Sequence, residues 1–189
     1  RIHATELDRL VLDDHGACKT VESRLTAKNR LAGINAGYFS ATCAAQGLLR
    51  VADQTRSRSW ATTVDPEPPL AFEARVGWRG PTIWFEWGQR SSGADTRPVT
   101  GADWTTPEFA LGAHPMLIQH GRAHAEVQPD VQVFSAIDWG NHPRTALAHT
   151  ASGDVLLITI DGRTSAGTGM STPALANWIR DEFDVVSAY

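Results

Sequence analysis

The sequence predicts an α+β fold, a single domain in which a mixed, mostly antiparallel sheet packs on one or two helices. Three observations carry that expectation. Nine segments have the length and patterning of strands, one segment has a strong helical stripe, and the two kinds do not alternate along the chain as a doubly wound fold requires. The 189 residues, 42% hydrophobic and 20% charged, have ordinary globular usage and suffice for one hydrophobic core.

In chain order, apolar or alternating runs predict strands at 7–13 (LDRLVLD), 31–39 (LAGINAGYF), 47–52 (GLLRVA), 70–78 (LAFEARVGW) and 82–87 (TIWFEW). Four more follow at 115–121 (PMLIQHG), 131–137 (VQVFSAI), 144–150 (RTALAHT) and 154–160 (DVLLITI). Most are bounded by Gly, Pro, Asp or Asn, residues that favour turns. The last two form the best hairpin, because Ser152, Gly153 and Asp154 supply turn chemistry between two apolar segments. Loose periodicity of Val21, Leu25, Lys28 and Leu31 predicts a weak helix within 20–32. The strong helix begins with Ser171 or Thr172 as N-cap and Pro173 at its first position. Leu175, Trp178, Ile179 and Phe183 give it a stripe that should face a sheet, and VVSAY reads as a further strand.

The stretch from about 53 to 108 differs in composition, with Pro66, Pro68, Pro69, a polar run RSSGADTRP and Trp78, Trp84, Trp87 and Trp104. It reads as a variable insertion within the domain, either facing substrate with exposed aromatics or forming a hairpin with ordinary core tryptophans. Cys18 and Cys43 are compatible with one disulfide or with two reduced thiols. A formal charge of -4 argues against nucleic acid as a partner and against an anionic membrane surface. No apolar stretch approaches the roughly 20 residues of a transmembrane helix. The start at Arg1, without methionine, predicts a processed or trimmed N-terminus.

The candidate chemistry gathers where the best hairpin opens. Arg144 enters its first strand and Asp161 leaves its second, so antiparallel pairing brings them together, with Arg163 just beyond. Two guanidiniums suit phosphate oxygens, and a carboxylate beside them can act as acid, base or orienting group. The competing reading from spacing alone is a surface ion pair, with Asp161-Gly162 as turn chemistry. Gly167 and Gly169 allow close backbone approach before a helix start that offers amide donors to an anion. Asn35 is a polar amide inside an apolar run, there either to pair with a ligand or to satisfy a bulge. Histidines 114, 120, 124, 142 and 149 lack the spacing of a metal site. No Ser-x-x-Lys or Gly-x-Ser-x-Gly nucleophile signature occurs, which disfavours nucleophilic Ser catalysis. Cys43 has no activating neighbour in sequence.

Taken together and in order, INAGYF, GAHPMLIQHG, HPRTALAHTASGDVLLITIDGR and GMSTPALANWIRDEF resemble the phosphodiester glycosidase family. The match covers roughly 31–50 and 109–189, and its specific part is Pro-Arg-Thr followed at this separation by Asp-Gly-Arg. The resemblance implies hydrolysis of a sugar-1-phosphodiester to free sugar and phosphomonoester, without a cofactor. It implies Asp161, Arg144 and Arg163 as catalytic residues, and Asn35, Gly37, Thr145, Gly162, Gly169 and Ser171 as substrate-binding residues. A sugar phosphodiester or cell-envelope glycan would be the substrate, met in a secreted, periplasmic or cell-envelope setting. Ala36 departs from the family, which has Gly there. The family also continues from its last helix and strand into Asn-Leu-Asp-Gly-Gly-Gly-Ser, so either a C-terminal part of the family domain lies beyond Tyr189 or the floor of the active site is missing. The alternative reading is a non-catalytic carbohydrate or cell-envelope binding module that retains the cleft.

Overall fold

The computed structural model describes residues 1–14, 18–39, 42–57, 72–90, 96–98, 106–113, 115–123, 140–165 and 167–189. A short 3-10 helix, Ala4–Arg9, and helix α1 (Val21–Lys28) precede a small hairpin of β1 (Tyr38–Phe39) and β2 (Ala45–Gln46). Then come β3 (Leu49–Val51), β4 (Gln54–Ser57), β5 (Phe72–Arg79), β6 (Thr82–Arg90), β7 (Thr96–Pro98) and β8 (Phe109–Ala113). The chain finishes with β9 (Ile118–Gln119), β10 (Arg122–Ala123), β11 (Arg144–Thr150), β12 (Val155–Ile160), α2 (Thr172–Glu182) and β13 (Val185–Ala188). Besides the small hairpin there are two sheets, a six-stranded one in the order β4-β3-β8-β5-β6-β7 and a five-stranded one in the order β10-β9-β13-β11-β12. Every pairing among these strands is antiparallel, as the α+β reading expects.

Strand alternation explains how the layers meet. On β11, Ala146 and Ala148 face α2, where Leu156, Ile158, Leu175, Ala176, Ile179, Val185 and Ala188 complete a buried cluster. Leu147, one residue out of phase, joins Val155, Val76, Trp78 and Leu111 in a second cluster between the sheets. The five-stranded sheet is therefore apolar on both faces, which is why its central strands read as continuous apolar runs. Leu175 and Ile179 are fully buried, each contributing about 1.5–3 kcal/mol by leaving water. Trp178 and Phe183 meet edge to face beside them, with centroids 5.4 Å apart.

The strongest patterns are realised closely. The hairpin pairs Arg144 with Ile160 through to His149 with Val155, and Gly153 turns it at φ 86°. Ser171 is the N-cap of α2, its Oγ accepting from Ala174 N–H at 3.3 Å, and this puts Thr172 first and Pro173 second. Within 53–108, β5 and β6 form a hairpin, and Trp78 is a core residue, its indole N–H donating to Leu10 O at 2.8 Å.

Other segments differ from expectation. Residues 7–13 form no strand; Leu7 and Leu10, three apart, fall on one side of the 3-10 turn and both pack between the sheets. Of 31–39 only Tyr38–Phe39 is strand, and of 115–121 only Ile118–Gln119. The expected strand at 131–137 lies outside the described residues. Cys18 and Cys43 are joined as a disulfide with Cα atoms 5.3 Å apart. The link ties down a part of the chain with little core of its own, since α1 buries no residue. No helix among the described residues is long and apolar enough to cross a membrane.

Candidate active site

The open end of the β11–β12 hairpin is held by backbone. After Ile160 the chain leaves the ladder, makes a turn in which Thr164 and Gly167 exchange hydrogen bonds, and returns so that Met170 pairs with His142. His142 N–H donates to Met170 O at 3.3 Å and Met170 N–H to His142 O at 3.0 Å. Two glycines make this return possible. A Cβ on Gly162 would lie 2.8 Å from Pro143 N and 2.9 Å from Gly169 Cα. Gly169, at φ 89°, has the His142 carbonyl where its Cβ would be. Both positions thus have a packing reason to be glycine.

The two arginines sit at this ladder. Arg144 donates from Nε to Met170 O at 2.9 Å and from Nη2 to Gly140 O at 2.9 Å, so it clasps the strands leading into and out of the loop. Arg163 is exposed and lies 3.1 Å from His142 Nδ1 through Nη2. Its φ of 58° is the left-handed region, which costs a residue with a Cβ about 1–2 kcal/mol. Asp161 is exposed.

A second polar group lies on the opposite face of β11. Thr145 Oγ donates to Asn35 Oδ1 at 2.8 Å, joining residues 110 apart in sequence. Asn35 is exposed on an irregular segment, not buried in a strand, so the bulge explanation for it does not apply. Gly37, at φ 65°, turns this segment beside the backbone of Gly112. Thr145 stands opposite Thr159, and Asp161 follows Ile160 where the chain leaves the ladder. The structure therefore brings Asn35 and Thr145 together on one face and Arg144, Arg163, Gly162 and Gly169 on the other, with Asp161 at the rim. Ser171 spends its hydroxyl on capping α2.

Sequence reasoning passed over two residues here. Thr159 carried no motif and emerges only from register. His142 belongs to the His-Pro-Arg-Thr block, and its signal in sequence is its place two residues before Arg144. Among the described residues no three His, Cys, Asp or Glu side chains group to hold a metal, and His114 and His124 lie outside them. His149 is far along β11, stacked on Phe85 at 6.1 Å, and burial lowers its pKa, with Asp154 opposing. Asp154 itself anchors the N-terminal segment: Arg1 and Ala4 N–H donate to it and lower its pKa to about 2.

No curated protein matches. Among solved structures, the chain is similar to the catalytic domain of zebrafish N-acetylglucosamine-1-phosphodiester alpha-N-acetylglucosaminidase, auto-inhibited by its pro-peptide. The TM-score is 0.58 at 19% identity, over 82% of this chain and 48% of that one. It is also similar to a hypothetical protein from Synechocystis, with a TM-score of 0.55 at 16% identity, over 87% of this chain and 46% of that one. These likenesses show the fold, and the chain spans about half the length of either structure. The sequence model of phosphodiester glycosidases matches residues 28–189, a span that takes in Asn35, the β11–β12 hairpin, its loop and β13. A match over that much of the sequence settles the kinship that the short motifs suggested: the chain belongs to the phosphodiester glycosidase family.

Proposed function

We propose that the chain is the hydrolytic part of an enzyme that cleaves a sugar-1-phosphodiester, of the N-acetylglucosamine-1-phosphate type, into free sugar and phosphomonoester. The observation that carries this reading is the cluster at the open end of the hairpin, where Arg144 clasps Met170 and Gly140 and the exposed guanidinium of Arg163 lies against His142. In this reading Arg163 binds the phosphate, and Arg144 adds positive charge while holding Gly140 and Met170 in place. Both stabilise the charge that develops on the departing phosphomonoester as the bond to the anomeric carbon breaks. That group leaves easily, so the need for a general acid is smaller than in ordinary glycoside hydrolysis. Asp161 is left to activate water or orient the sugar, with Asn35 and Thr145 binding hydroxyls or a phosphate oxygen.

The disulfide fits a secreted, periplasmic or cell-envelope setting, because such links persist in oxidising compartments.

The test is cleavage of an N-acetylglucosamine-1-phosphodiester by Arg144→Ala and Asp161→Asn, with circular dichroism to check the fold. Each should lose about a hundredfold or more in kcat/KM. Full turnover in both folded variants would refute the assignment.

A further inference from the structure

We propose that His142 is a positioning residue for Arg163, fixing how the guanidinium presents its donors to an anionic oxygen. This rests on the phosphodiester reading and deepens it. Arg163 Nη2 lies 3.1 Å from His142 Nδ1. A guanidinium has donors and no acceptor, so Nδ1 must accept and carry no proton. The neutral ring then keeps its proton on Nε2, leaving a second donor on the far side of the imidazole from Arg163.

Two observations make this a built contact. The His142 backbone is held independently of its ring, by paired hydrogen bonds with Met170 and by the close approach of Gly169, so the imidazole is not needed to close the loop. Met170 is fixed in turn by Arg144. On the other side, Arg163 has a long flexible side chain on an unfavourable φ, and an acceptor at Nδ1 limits the rotamers from which its donors can reach substrate. With one of its five N–H groups committed to His142, Arg163 keeps four to meet an anionic oxygen.

The experiment compares His142→Asn with His142→Leu in the intact chain. An Asn Oδ1 can stand where Nδ1 stood and keep the acceptor, whereas Leu keeps bulk and removes it. The Asn variant should bind inorganic phosphate within about twofold of the parent, and the Leu variant about fivefold or more weakly, the loss expected for one positioning hydrogen bond. For the sugar phosphodiester, kcat/KM should fall about 10- to 100-fold with Leu and recover with Asn. Nitrogen NMR of the free protein should show the Nε2–H tautomer of His142, a preference lost in Arg163→Ala. A dominant Nδ1–H tautomer, or equal phosphate binding by the Asn and Leu variants, would overturn the proposal. If Leu prevents folding, the tautomer in the parent and in Arg163→Ala still decides. A parent chain that binds phosphate with the expected tautomer but turns nothing over would count against the phosphodiester reading alone.

Discussion

Arg163 shows what a single residue adds beyond its motif. In sequence, Asp161-Gly162-Arg163 reads equally as a turn or as a site, because turn chemistry and catalytic chemistry use the same residue types. The structure adds a positive φ, an exposed guanidinium and a contact with His142, and none of these is encoded in spacing. Asp154 is the converse case, expected only as a hairpin-turn residue and found anchoring Arg1 and Ala4. Hydrogen bonding from Arg1, then from Ala4 N–H, lowers its pKa from 3.8 to about 2. Because the folded value is the lower one, its stabilising effect is complete above pH about 4 and is lost as pH falls towards 2. Urea unfolding at stepped pH should show this window in the parent and not in Asp154→Asn. His149 acts on a separate window, since burial disfavours its charged form in the fold. The unfolded chain takes up the proton first, so stability declines as pH drops below about 6.5, and His149→Phe should remove that decline.

At the scale of elements, local and strongly periodic segments were the legible ones. β11, β12, α2 and β13 were readable because apolar run, turn residues, cap and helical stripe all agree over short distances. The segment 7–13 misled because two leucines three apart satisfy a strand pattern and a 3-10 turn alike. The run 31–39 misled because its apolar residues lead to the short strand β1 while Asn35 stays on the surface. Two measurements probe how these elements hold the site. Gly169→Ala should be severely destabilising, by about 3 kcal/mol or more in thermal unfolding, since its Cβ would occupy the His142 carbonyl position. Replacing Cys18 and Cys43 by Ser should cost about 2–4 kcal/mol. Hydrogen exchange should then quicken at 33–37, around Asn35, while the β11–β12 amides stay protected.

For the whole molecule, the class was legible and the arrangement was not. Antiparallel pairing follows from hairpins, but the partition into two sheets depends on contacts such as β3 with β8 and β9 with β13, which join segments distant in sequence. No local pattern reports those pairings. The consequence for the site is specific: β11 belongs to the sheet buried on both faces, and its first residues emerge where the layers end. Arg144 and Thr145 therefore face opposite ways, one towards the α2 loop and the other towards Asn35.

The most direct test of the central claim is the kcat/KM for release of N-acetylglucosamine from its 1-phosphodiester by the parent, Arg163→Ala and Arg163→Lys. The phosphate-binding role predicts a loss of about 10²–10³ with Ala and only partial recovery with Lys, which keeps the charge but not the fork. Equal turnover by all three, with the fold intact, would contradict it.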